Sequence, residues 1–222
     1  MKTWSSENPK AALMKRKQSA IVRAARNLFL EGGYAKTSMD SIAEAAGVGI
    51  KTVYRHFLNK DDLFSAVMQA ACHPTAFEEL GLEEQEQAAE TEKPWFTEKP
   101  STALVMAGTE FLQHVLSEEQ LALYRVVTQD AHRFPDLGRR YKEQVIDHRN
   151  EIFIRYLNRW APIENWNVKD HYGAANTFTS LLRASVFDDA LHGLRTFDAT
   201  EIAAHARFAA EKMLVLLDSG IL

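Results

Sequence analysis

The sequence predicts an all-α protein: a three-helix helix-turn-helix head on a larger helical bundle. Three observations carry that expectation. Apolar residues recur at helical spacing over long stretches, no period-2 run is bounded by turn residues, and a compact Ala–Gly–Val pattern joins two short helices. The 222 residues are 46% hydrophobic and 25% charged, an ordinary globular composition. No uncharged run approaches the roughly 18–20 apolar residues of a membrane span. The first residues carry no apolar h-region, so a cytoplasmic location without a membrane contact is expected. Cys72 is the single cysteine and can make neither an intramolecular disulfide nor a thiolate metal cluster.

The elements follow in order. From Lys15 to Glu31, Ala20, Ile21, Ala24, Ala25, Leu28 and Phe29 form one helical stripe, which Gly32-Gly33 stops. Ser38 caps a short helix to Ala46, with Asp40 in its first turn and Gly47 beyond its end. A third helix covers about Ile50 to Phe57, and Asn59 caps a fourth that runs to about Cys72. Residues 73–100 change character, with eight Glu against two Lys and prolines at 74, 94 and 100. They read as an acidic, solvated connection with one amphipathic turn around Phe77, Leu80 and Leu82; Trp95-Phe96 within it docks on the bundle or helps close a pocket. Helical patterns then resume at about 102–117, 119–133, 136–160, 168–192 and 199–218, with Pro135, Pro162 and Gly193 in loops. The expected organisation is a basic arm (1–14), a helix-turn-helix domain (15–58), a connecting helix (59–72), the acidic connection (73–100) and a helical body (101–222).

Charge is divided unevenly. Residues 1–72 hold 11 Lys and Arg against 6 Asp and Glu, whereas residues 73–222 hold 15 against 24. A basic front on an acidic body points to a polyanion partner for the front, although +5 over 72 residues is also within ordinary scatter. The stretch Ile42 to Phe57 sharpens this. Two helices joined by a tight turn need a small residue at their closest approach, a φ > 0 residue in the turn and apolar facing sides. Ala43, Gly47 and Val53 supply these at helix-turn-helix spacing, with Ile42, Ala46 and Val48 completing the buried side. Lys51, Thr52, Tyr54, Arg55 and His56 can all donate to phosphate oxygens or base edges. Lys60, at the start of the next helix, puts a charge and open N–H groups where a phosphate could sit. A short αα-hairpin with a charged surface is the bland alternative.

Residues 16–72 resemble the N-terminal domain of the TetR family of transcriptional regulators. The resemblance lies in Ala24-Ala25-x2-Leu28-Phe29, Gly32-Gly33-Tyr34, Thr37-Ser38, Ile42-Ala43-x2-Ala46-Gly47-Val48, Thr52-Val53-Tyr54-x-His56-Phe57 and Asn59-Lys60-x2-Leu63-Phe64. It implies a DNA-binding head on a ligand-binding and dimerisation body. It further implies phosphate or base-edge roles for Thr52 and Tyr54, with Lys51, Arg55 and His56 beside them, a phosphate on Lys60, and a backbone contact near Ser38. Gly49 stands where a serine often caps the recognition helix, and Ile50 where a polar residue often reaches the bases, so direct readout shifts toward Lys51 and Arg55. Lys10, Lys15, Arg16 and Lys17 would follow the DNA backbone or enter a minor groove, or else form a disordered end.

For the body the resemblance implies a homodimer through about 168–192 and 199–218, binding a palindromic operator in double-stranded DNA. Leu121 to Leu137 resembles the C-terminal domain of one branch of these regulators, and a small, mostly apolar effector is expected between bundle helices. Phe111, Tyr124, Arg125, Gln129, His132, Phe134 and Phe178 are candidate effector contacts by type and position, each with core packing or a surface contact as the bland alternative. The paired Asp188/His192 and His148/Glu151 are not complete ligand sets, and no phosphate loop or nucleophile elbow occurs, so no catalytic residue, metal or cofactor is expected. The rival expectation is a DNA-binding regulator, most commonly a repressor in this family, whose body binds a protein partner instead of a small inducer.

Overall fold

A computed structural model describes residues 9–72 and 93–222, and divides by packing into two compact units, residues 1–82 with 122–145 and residues 83–121 with 146–222. This division is not the linear one read from the sequence: residues 122–145, expected in the body, pack with the head. The acidic turn expected around Phe77, Leu80 and Leu82 lies outside the described residues.

In the first unit, α1 (Pro9–Lys36) buries Ile21, Val22, Ala25 and Phe29. It begins at Pro9, so the segment expected as an arm to residue 14 is helical from that point. Its regular turns end at Gly33 (φ 78, ψ 168), after which one more turn carries Tyr34. Next come α2 (Met39–Ala45), α3 (Ile50–His56) and α4 (Lys60–Cys72). The Asn59 side chain accepts from the Asp62 N–H at 2.8 Å, the N-cap expected of α4. α6 (Glu118–Asp130) contributes Leu123, Val126 and Val127 to this core, and α7 (Pro135–Tyr141) contributes Leu137. An aromatic group lies at its centre. The Tyr34 ring stacks on Phe29 (5.6 Å between centroids) and meets Phe64 (5.4 Å) and Phe134 (5.0 Å) edge-on.

The second unit holds a 3₁₀ turn (Pro94–Thr97), α5 (Pro100–Val115), α8 (His148–Glu164), α9 (His171–Leu191) and α10 (Ala199–Ser219). Trp95 and Phe96 are buried, so the pair in the acidic connection docks as expected; the Trp95 indole donates to Glu110 at 3.0 Å. The Tyr156 hydroxyl donates to the Glu98 carbonyl at 3.0 Å, beside both rings. α5 approaches α9 and α10 at Gly108, where a Cβ would stand 2.8 Å from Leu182 and 3.4 Å from Ala206. Two sequence expectations are modified here. The stretch 136–160 is helical throughout, as expected, but a π segment (Lys142–Asp147) interrupts its α-helical bonding between α7 and α8. Pro162 is not in a loop but inside the last turn of α8, which stops two residues later with Asn165 left-handed at φ 58. α9 breaks at Ala184 (φ 20, ψ −135), and the Leu182 carbonyl lies 2.9 Å from His205 Nε2.

Candidate nucleic-acid interface

Two seven-residue helices are too short to be stable alone, so caps and a shared core must hold α2 and α3. Ser38 accepts from the Ser41 N–H at 3.0 Å while the Ser41 hydroxyl accepts from the Ser38 N–H at 3.1 Å, a reciprocal box at the start of α2. The turn needs a left-handed residue, and Gly47 provides it at φ 64. The Val48 N–H then closes onto the Ala43 carbonyl at 3.0 Å. Gly49 caps α3 through its carbonyl, which accepts from Thr52 N–H at 2.7 Å. Ile42, Ala43 and Val53 are buried, as the spacing required, with Met39 beside them, whereas Ala46 and Val48 are only half-buried.

This anchoring leaves one side of α3 facing outward. Lys51, Tyr54 and Arg55 are exposed, Tyr54 by 53%, and Thr52 and His56 are half-buried at its edges. Burial holds the His56 imidazole below its ordinary pKa, and the charges of Arg55 and Lys17 add to that. The Lys17 influence brings α1 into the same electropositive surface. Ser38 is exposed at the other end of the motif, its hydroxyl in the capping box.

Lys60, the phosphate ligand expected from the sequence, stands half-buried at the start of α4. Its ammonium donates to the carbonyls of Tyr34 (2.9 Å) and Thr37 (3.0 Å) and lies 4.2 Å from the Tyr34 ring centroid. Desolvation lowers its pKa, against the opposing pull of Asp61 and Asp130. Two carbonyls and an aromatic face hold the charge from inside the fold, using two of the ammonium's three donors.

The seven effector candidates divide between the units. Phe178 is buried in the second and stacks on Phe153 at 5.1 Å, and Phe111 lies under the Arg149 guanidinium at 5.4 Å. Tyr124 meets Tyr141 in the first, where Arg125, Gln129 and His132 are exposed. Phe134 packs against Tyr34 as part of the head's aromatic group, a core role in place of the expected pocket contact. A groove of about 390 Å³ on the second unit runs between α5 and α10, lined by Ser101, Thr102, Val105, Met106, Arg207, Ala210, Glu211 and Leu214 and by none of the candidates. Sequence reasoning passed over Asn150, which is 1% exposed and donates to Asn176 at 2.9 Å, and Asp130, which is 3% exposed; a lone polar residue inside an apolar helical stripe was the available signal. Among the described residues no three His, Cys, Asp or Glu converge as a metal site, and no helix is long and apolar enough to cross a membrane.

Residues 21–67 match the bacterial regulatory proteins of the tetR family, and residues 102–216, more than half of the chain, match the C-terminal domain of AefR-like transcriptional repressors. The chain belongs to the TetR family. It is a DNA-binding transcriptional regulator and not an enzyme, with the helix-turn-helix of α2 and α3 as its head. A crystallised TetR-family regulator from Mesorhizobium loti is 25% identical, with a TM-score of 0.73 over 95% of this chain and 98% of its own. The flavonoid-responsive regulator FrrA is 27% identical, with a TM-score of 0.70 over 90% of this chain and 96% of its own. In sequence, the transcriptional activator FasR of Mycolicibacterium smegmatis is 38% identical over 53 residues, which span 24% of each chain. The match covers only 24–30% of the length of such curated relatives.

Proposed function

We propose that the protein is a homodimeric repressor that reads a palindromic operator through α3 and leaves it when a small, mostly apolar effector binds the second unit. The observation that carries this reading is the outward side of α3, where Lys51, Thr52, Tyr54, Arg55 and His56 stand on a helix anchored from behind by fully buried Val53. Lys51 and Arg55 are the candidates for base edges; Tyr54, Thr52 and the backbone near Ser38 are the candidates for phosphates. Repression is supported by the match of residues 102–216 to a repressor family. An aromatic effector is supported by the likeness to a flavonoid-responsive regulator and by the aromatic groups Phe153, Tyr156, Trp160 and Phe178 in the second unit.

A symmetric pair of heads reads half-sites about one helical turn or a multiple of it apart. The surface for pairing would be α9 and α10. Phe178, Leu182, Ile202, Met213 and Leu217 are used within the unit's own core, and Phe208 (53% exposed) and Val215 (67%) remain outside it, seven residues apart on one side of α10. Effector binding would shift the population toward a head spacing that no longer fits the operator, with α4 joining head to connection. Selection of bound duplexes from a random pool tests the reading. A two-fold sequence bound by two chains is expected, with release by members of a flavonoid panel. An asymmetric sequence bound by one chain removes the dimer, and a two-fold duplex that no compound releases removes the effector.

A further inference from the structure

The four residues Tyr34 to Thr37 connect α1 to the N-cap of α2, and they are held from both ends by opposite charges. At the amide end, the Asp130 carboxylate accepts from the N–H of Tyr34 (2.8 Å) and of Ala35 (3.2 Å). These are the amides that the glycine break at Gly33 releases from α1, the orphan donors of a new helical turn. At the carbonyl end, the Lys60 ammonium donates to Tyr34 and Thr37. The Thr37 hydroxyl donates back to the carbonyls of Leu28 (3.1 Å) and Gly33 (2.9 Å), and the Tyr34 hydroxyl donates to Asp61. Asp130 is the last residue of α6 and Lys60 the first of α4, so two helices outside the recognition motif converge on one turn.

We propose that Asp130 is a positioning residue for DNA recognition: with Lys60 holding the other end, it clamps Tyr34–Thr37, and so fixes the direction in which α2 and α3 leave α1, without itself touching DNA. A buried carboxylate is costly unless it is hydrogen-bonded, and two main-chain donors plus a nearby ammonium provide that compensation. The partners are backbone groups, so the clamp holds the course of the chain and not merely a side chain. An error in that course is carried directly to Ser38 and the helices after it. The Lys60 ammonium serves the two carbonyls with two of its three donors.

The inference rests on the operator reading above, so the test begins with the full-length protein and the duplex that the selection yields, with a random duplex as reference. The variants are Asp130→Ala, Asp130→Leu and Asp130→Asn. Asp130→Ala is expected to weaken operator binding by about tenfold or more, a usual size for coupled effects, while random-duplex binding changes little. The salt slope of log K is expected to stay constant, because Asp130 contributes no phosphate contact. Asp130→Asn is expected to restore much of the affinity, since an amide oxygen still accepts from both N–H groups. Unchanged operator affinity in Asp130→Ala, or an equal fall on both duplexes, would overturn the clamp. If Asp130→Ala fails to fold, the near-isosteric Asp130→Leu, which also removes the acceptor, decides by the same two readouts. Failure of the wild-type chain to bind any selected duplex would count against the operator reading instead.

Discussion

The two units solve helix packing in different ways. In the first, the contacts between helices include directional polar bonds: Asp130 on two amides, Lys60 on two carbonyls, and Arg140 donating to Ser65 at 2.8 Å. In the second, α5, α9 and α10 meet chiefly through small residues, with Gly108, Ala174, Ala206, Ala209 and Ala210 all buried where they approach, while polar bonds join α8 to α9 at Asn150–Asn176 and α9 to α10 at the Leu182 carbonyl and His205. Non-directional packing fixes distance, since dense interiors resist compression, but it tolerates rotation and sliding better than a hydrogen bond does. A head that must match a duplex groove needs orientation, which the bonds to main-chain groups supply; a body that would adjust to the proposed effector can use the sliding contacts between α5, α9 and α10.

The largest effect is expected where the second unit presents apolar surface. Phe208→Asp combined with Val215→Asp should leave the fold intact, since both side chains are exposed, and convert a dimer to a monomer in light scattering. Operator affinity should fall by about a hundredfold or more as one half-site is lost, a range typical of specific against weaker binding. A variant pair that stays dimeric would move the interface off this side of α10. Next in size is Gly108→Val, which should lower the melting stability of the second unit by about 1–3 kcal/mol through overpacking against Leu182 and Ala206. Unchanged melting would show that α5 can slide away at little cost.

The head's local structure was legible in the sequence because each part has a local cause. Ser38 caps, Gly47 turns and Val53 faces inward for reasons that lie within a few residues of each. The role of Lys60 was not, because its partners are carbonyls 26 and 23 residues away, and a backbone oxygen leaves no mark in a residue pattern. Asp130 was missed for the same reason at a separation of 96 residues. The body was legible as helices but not as a unit. Periodicity marks a buried side without saying which neighbour buries it, so residues 122–145 looked like body and pack with the head. Phe134 is the clearest case, an aromatic residue whose type suited a pocket and whose partner is Tyr34.

Gly33 sharpens the contrast on the head's side. At φ 78 and ψ 168 it occupies a region essentially confined to glycine, so Gly33→Ala should cost about 1–3 kcal/mol. The added Cβ would also stand 3.4 Å from the Asp130 carboxylate that holds the next two amides. Operator affinity should therefore fall by more than the loss of folded protein explains, as measured at a temperature well below the melting transition. A fall accounted for by unfolding alone would reduce Gly33 to a stability residue, without the equivalent of the slide permitted in the second unit.

The smallest effect concerns His56, where the aimed surface meets solvent. In the free protein burial, Arg55 and Lys17 all favour the neutral ring, so its pKa lies below the ordinary 6.5. Duplex phosphates would offset both positive charges, raising the pKa in the complex above that of the free head. The sign follows from linkage: a group that binds protons more readily in the complex strengthens binding as pH falls through its range. Operator affinity should therefore rise by about twofold to fivefold as pH is lowered from about 7.5 to 5.5 at constant salt. His56→Gln should flatten the profile, and Lys17→Ala should shrink the rise by relieving part of the repulsion already present without DNA. A profile that falls on acidification would mean the ring stays desolvated in the complex. His56 would then belong to the anchoring side of α3 with Val53 and not to the side that meets phosphate.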